Sequence, residues 1–262
     1  MTTTVVVTRP QPQADEWVAR LQSLGQAACA LPLMRIERVA AFDAEVARTW
    51  MGLAQYRLVM FVSPNAVLAF FAARPAGQVW PDTTLAGATG PGTVAALVAQ
   101  GVAARCTVAP PIDAPTFDAE ALWTHALSGR DWCGQGVLVV RGEDGRDWLA
   151  ETLRGAGASV TCLAAYRRVS PVWTGALDAA LHAMAVRPVR HVWLFSSSQC
   201  IAHLLAPDAP AADPALRAAV QAVPVLATHP RIAEMAWRSG FCQVVPVTPD
   251  PVAVVQAAAR WC

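Results

Sequence analysis

The chain has 262 residues, 55% of them apolar and 15% charged, with 20 lysines and arginines against 19 aspartates and glutamates. That composition is too apolar for disorder, the length suits two domains rather than one, and the formal net charge of +1 gives no basic field to gather nucleic acid or a membrane surface. The 7 cysteines lack C-x-x-C spacing, the apolar runs are strand-length, and no charged-then-apolar leader opens the chain, so a cytoplasmic protein with reduced thiols is expected.

In chain order the residues spell strand, polar or Gly/Pro junction, then helix, several times over. Val5-Val6-Val7 reads as a strand ending in Thr8-Arg9-Pro10, followed by a helix through Trp17, Leu21 and Leu24, a stop at Gly25, and a strand through Ala28 to Leu33. Leu31 to Val39 reads as an extended connector. Leu58 to Val62 is a strand closed by Ser63-Pro64-Asn65, and Ala88-Thr89-Gly90-Pro91-Gly92 leaves another strand for a helix, with a further strand opening after Gly101-Val102.

The series then begins again. Val137 to Val140 ends in Arg141-Gly142, with a helix through Trp148, Leu149 and Leu153, a stop at Gly155 or Gly157, and a strand through Val160 to Tyr166. Tyr166 to Trp173 reads as a second extended connector. Val192 to Phe195 ends in Ser196-Ser197-Ser198, and Ala227-Thr228-His229-Pro230 matches the Ala88 junction, with Gly240-Phe241 answering Gly101-Val102. Arg9 with Arg141, Phe61 with Phe195, and Ala88 with Ala227 recur in one order about 135 residues apart, which is the signature of internal duplication.

Strands alternating with helices imply right-handed crossovers and parallel sheets. The expected fold is therefore α/β, with two similar flavodoxin-like parallel-sheet domains joined by a two-stranded hinge. The first domain is discontinuous, residues 1–35 plus 172–262, around a second domain of residues 38–167, with hinge strands near 33–39 and 166–172.

Ligands of open parallel sheets lie off the carboxyl ends of the strands, where helix N-termini present unpaired N–H groups and partial positive charge. The six junctions carry Thr8 and Arg9, Ser63 and Asn65, Thr89, Arg141, Ser196 to Ser198, and Thr228. Any one of these hydroxyls is also what plain helix capping selects. Taken together they predict a site for a polyanionic small molecule in a cleft between the domains. Gly90-Pro91-Gly92-Thr93-Val94-Ala95 formally matches a dinucleotide fingerprint, but no acidic residue follows at the required distance. Tyr166 opens the second connector, and from position alone a functional and a packing role both stay open. The rival readings are a non-catalytic hinged binding or regulatory protein and a nucleotide-dependent enzyme using the Gly90 turn.

The ordered set Val7-Thr8-Arg9-Pro10, Phe61 to Val67, Gly90 to Thr93, Val140-Arg141-Gly142 with Gly145-Arg146, Tyr166-Arg167-Arg168, Phe195 to Ser198 and His229-Pro230-Arg231 resembles the uroporphyrinogen-III synthase family along nearly the whole chain. The resemblance implies a cyclising lyase of tetrapyrrole biosynthesis that closes hydroxymethylbilane to uroporphyrinogen III. Water is lost and ring D is inverted through a spiro intermediate, without cofactor or metal. It also implies Tyr166 as the group assisting the leaving hydroxyl. Arg9, Ser63, Asn65, Thr89, Arg141, Ser197, Ser198 and Thr228 become the carboxylate-holding set. A monomer is expected, with transient contact to the preceding pathway enzyme left open.

Overall fold

Short valine- and leucine-rich runs bounded by Ser, Thr, Gly and Pro form strands because β-branched and apolar side chains fill both faces of a sheet covered by helices. A computed structural model describes residues 3–145, 147–186 and 190–261 of the chain. The elements run β1 (Thr4–Val7), α1 (Gln13–Ser23), β2 (Ala28–Ala30), β3 (Arg35–Glu37), α2 (Ala40–Met51), β4 (Leu58–Phe61), α3 (Pro64–Ala72), β5 (Leu85–Ala88), α4 (Pro91–Ala99) and β6 (Thr107–Val108). They continue as α5 (Ala119–Leu122), β7 (Gly136–Gly142), α6 (Trp148–Gly155), β8 (Ser159–Val169), α7 (Gly175–Val186), β9 (His191–Phe195), α8 (Ser198–Leu204), α9 (Pro214–Ala222), β10 (Val225–Ala227), α10 (Pro230–Arg238), β11 (Val244–Pro246) and α11 (Pro251–Ala258).

The chain divides into two compact units, one of Met1–Arg35 with Val169–Cys262 and one of Ile36–Arg168. The first holds a five-stranded sheet in the order β11-β10-β9-β1-β2, and the second a six-stranded sheet in the order β3-β8-β7-β4-β5-β6. The register pairs β1 with β2 and β9, β9 with β10, and β10 with β11, all parallel. The β8-β7-β4-β5-β6 run is parallel as well.

The duplication is therefore visible as topology. If β1, β2, β9, β10 and β11 correspond to β7, β8, β4, β5 and β6, both sheets have the flavodoxin-like order 2-1-3-4-5. Within that five-strand pattern, which leaves out β3 at the edge of the six-stranded sheet, each sheet takes strands 1 and 2 from one sequence copy and strands 3 to 5 from the other. Both crossings between the units fall on β3 and β8, which are neighbours in the six-stranded sheet.

Period-two alternation divides each sheet into two packed faces. On β4 and β7, Val59, Phe61, Leu138 and Val140 join Trp50, Phe70 and Phe71 in one core, while Leu58, Met60, Val137 and Val139 join Leu149, Leu153 and Trp132 in another. In the first unit Val5, Val7, Val192 and Leu194 pack against Trp17 and Leu21 of α1 and Val254 of α11. Trp193 and Phe195 stack on the opposite face, and the Trp193 indole N–H donates to the Val220 carbonyl at 3.1 Å.

Glycines at matching places stop the helices. Gly25 and Gly157, after α1 and α6, have φ of +78° and +93°, and Gly101 and Gly240, after α4 and α10, have +83° and +89°. A side chain with a Cβ is strained there, so glycine is what lets each helix close and the next strand begin. The copies differ at one strand. β2 ends at Ala30, before Leu31 and Pro32, although Leu31 and Leu33 still donate their N–H groups to the Val7 and Thr8 carbonyls, whereas β8 has alanines in that stretch and continues to Val169.

Candidate active site

In a 2-1-3-4-5 sheet the crossover direction reverses between strands 1 and 3, and a crevice opens beyond their carboxyl ends. In the first unit those strands are β1 and β9, paired through Val7 with Leu194. Thr8 is fully buried and donates its hydroxyl to the Leu194 carbonyl at 2.8 Å, while the Cys200 thiol of α8 reaches the Thr8 carbonyl at 3.5 Å. These bonds fix the backbone from which Arg9 projects.

The Arg9 guanidinium lies 4.5 Å over the Trp17 ring, and its Nε is buried with no hydrogen-bond partner among the described residues. Burial draws its pKa down to about 10, with Cys200 opposing and Arg20 adding to the shift. Ser196 Oγ and Gln199 Oε1, at the end of β9 and the start of α8, are also buried without partners among the described residues. Buried donor and acceptor atoms at the ends of two adjacent strands are costly to leave unpaired, and a bound ligand can pair with them. Ser197 caps α8, its hydroxyl accepting from Gln199 N–H at 3.3 Å, and Ser198 begins that helix on the exposed side. Thr228 donates its backbone N–H to the Phe195 carbonyl at 3.0 Å and sits half-buried. His229 caps α10 by accepting the Arg231 N–H on Nδ1 at 3.1 Å.

In the second unit the corresponding strands are β7 and β4. Ser63 caps α3, its Oγ accepting the Ala66 N–H at 3.2 Å, and the same Oγ lies 3.0 Å from the Tyr166 hydroxyl. Thr89 donates to the Val62 carbonyl at 3.3 Å, one residue before Ser63, which brings Ser63, Thr89 and Tyr166 to one end of the sheet. Asn65 is the second residue of α3 and is half-buried. Tyr166 is 2% exposed and belongs to the core cluster that includes Phe61 and Val140, so its ring packs while its hydroxyl keeps a polar partner.

Arg141 occupies the place that Arg9 has in the other sheet, but its electrostatics differ. Its Nη1 donates to the Gly145 carbonyl at 2.7 Å and to Asp147 Oδ1 at 2.6 Å, with the arginine side chain 16% exposed and the aspartate 55%. Among the described residues, one arginine is thus paired with a carboxylate and its counterpart is not. Composition hides this contrast; Asp147, six residues after Arg141, is its only mark in the sequence. Arg146, next to Gly145, lies outside the described residues.

The Gly90 turn has a packing reason of its own. A Cβ there would stand 2.7 Å from Cβ of Phe117, so the glycine makes room for a neighbouring side chain at the start of α4.

A sequence model of the family described as uroporphyrinogen-III synthase HemD matches residues 15–256. The chain is 33% identical over 178 residues to uroporphyrinogen-III synthase of Salmonella typhimurium, covering 67% of this chain and 69% of that one. Its fold is similar to the crystal structure of a mutant uroporphyrinogen III synthase from the extremely thermophilic bacterium Thermus thermophilus, at a TM-score of 0.59 and 17% identity over 99% of this chain and 98% of the other. It is similar as well to the synthetase of Helicobacter pylori 26695, at a TM-score of 0.51 and 14% identity over 99% of both chains. With the family match spanning nearly all of the sequence, the chain belongs to the uroporphyrinogen-III synthase family.

Proposed function

We propose that the protein closes hydroxymethylbilane to uroporphyrinogen III, with loss of water and inversion of ring D. The observation that carries this reading is the family match over residues 15–256. The site chemistry supports it. The substrate presents eight carboxylates, and the strand ends offer a dispersed set of donors, namely Arg9, Asn65, Thr89, Arg141, Ser197, Ser198 and Thr228, with Ser63 beside them. Such a set suits many carboxylates better than a single strongly basic pocket would.

The chemistry asks little of the protein beyond position. An electron-rich pyrrole expels its own hydroxyl: the C–O bond breaks as the nitrogen lone pair moves in, and an azafulvene forms. Tyr166 is the proposed proton donor, its O–H passing a proton to the departing oxygen so that water leaves. The proton shed when the last pyrrole regains aromaticity returns to the tyrosine oxygen, which balances the cycle. Left alone, the same intermediate closes head to tail to the symmetrical type I isomer. Holding ring D so that its substituted α-carbon attacks first is thus the enzyme's main task.

The same reading keeps the cytoplasmic monomer expected from the sequence. Cys29, Cys106, Cys133, Cys162, Cys200 and Cys242 are thiols rather than disulfides, as a reducing compartment allows. The direct test supplies freshly made hydroxymethylbilane and follows its consumption above the spontaneous rate. A parallel thermal-shift comparison of an octacarboxylate porphyrin with NAD separates this reading from its rivals. Consumption at the spontaneous rate, or stabilisation by NAD alone, would count against it.

A further inference from the structure

The reach of the Tyr166 hydroxyl is set by residues that do not resemble catalytic groups. Opposite the Arg141 to Gly142 step of β7, the register of β8 jumps from Ala164 to Tyr166, leaving Ala165 as one extra residue. A bulge of this kind re-aims the following side chain. Its effect here is that Ala165 and Tyr166, adjacent in sequence, join the same core cluster instead of facing opposite sides of the sheet. The Tyr166 ring then lies across Gly142, where an added Cβ would stand 3.1 Å from Cε2 and 3.2 Å from Cζ. The backbone is clamped as well: Glu143 N–H donates to the Tyr166 carbonyl at 3.0 Å, Arg167 forks onto the Glu143 carboxylate, and Arg168 donates to the Asp144 carbonyl at 2.9 Å.

We propose that Gly142 and Ser63 are positioning residues for the Tyr166 hydroxyl, Gly142 by leaving room for the ring and Ser63 by holding the oxygen. This rests on the reading of Tyr166 as proton donor. Ser63 Oγ already accepts the Ala66 N–H, so its own O–H is free to donate to the Tyr166 oxygen 3.0 Å away. In that arrangement the tyrosine O–H points onward to a substrate oxygen. When the tyrosine proton is transferred, the serine O–H stabilises the charge that develops on the phenol oxygen. The hydroxyl of Ser63 thereby serves Tyr166 instead of a substrate carboxylate.

The test measures kcat, KM and melting temperature for Gly142→Ala, Ser63→Ala, Ser63→Thr and Tyr166→Phe, and for Gly142→Ala and Ser63→Ala each combined with Tyr166→Phe. Gly142 does not have positive φ, so alanine suits its backbone and acts only by moving the ring a few tenths of an ångström. A misplacement of that size predicts a ~3- to 10-fold fall in kcat with KM nearly unchanged. Ser63→Ala should fall similarly, and Ser63→Thr should recover most of the loss. In the Tyr166→Phe background neither substitution should lower kcat further, because both act through the hydroxyl that is gone. Losses that multiply in the double variants, or wild-type kcat in both single variants beside an impaired Tyr166→Phe, would overturn the assignment. Full turnover in Tyr166→Phe would instead remove the donor reading beneath it.

Discussion

Replacing Arg9 with methionine should make the protein more stable and a poorer binder of its substrate. Burial holds the Arg9 guanidinium near 10, well below its ordinary range, which disfavours the charged form by on the order of 3 kcal/mol. The Trp17 ring beneath it returns about 1–2 kcal/mol through the cation–π contact. The difference, about 1–2 kcal/mol, is the strain that Arg9→Met relieves with a side chain of similar length, and it should raise the melting temperature by roughly 3–6 °C. The sign with pH follows from the lowered folded pKa. Below about pH 10 the folded protein carries the buried charge and bears the full penalty, which fades only as pH rises beyond that value. The stability gain should therefore be constant from pH 6 to 9. Loss of a buried, charge-assisted contact to a carboxylate costs about 1.5–3 kcal/mol, so KM for hydroxymethylbilane should rise ~10- to 100-fold. Scanning fluorimetry and steady-state assays measure both quantities. A variant that melts earlier and keeps its KM would show Arg9 to be a packing residue, and the reasoning would fail.

Thr228→Val, nearly isosteric and with the Phe195 bond made by backbone, should leave the melting temperature within about 2 °C while raising KM several-fold. Ser197→Ala removes the α8 cap and should cost about 1 kcal/mol in denaturant titration; a neutral result would contradict the capping geometry. Asp147→Asn weakens a pair whose aspartate is largely exposed, so stability should change by less than about 1 kcal/mol, and the freed Arg141 should lower KM or leave it unchanged. A rise in KM would mean that Asp147 orients Arg141 for the substrate.

Features set by local rules were readable from sequence. Strand ends, proline-started helices and glycine stops recur because each copy must solve the same chain-turning problem, and they located the donor-bearing junctions directly. The pairing of Ser63 with Tyr166 was not readable, since the residues are 103 positions apart and meet only through sheet register and the extra residue at Ala165. A bulge between alanines leaves no compositional mark. Gly142 looks like an ordinary strand-end glycine until the ring of Tyr166 is seen lying against it. The unlike surroundings of Arg9 and Arg141 were hidden for a related reason. Trp17 and Asp147 are unremarkable residues on the helix and loop that follow, and only the fold turns one toward a bare guanidinium and the other toward a neutralised one.

If this chain decides which way a linear tetrapyrrole closes, the isomer composition of the product records that decision. Hydroxymethylbilane should be generated in the presence of the purified protein, and the oxidised porphyrins resolved as type III and type I. Type III should predominate and increase with protein concentration at the expense of type I. A product that stays type I at every protein concentration would show that the protein does not direct ring closure.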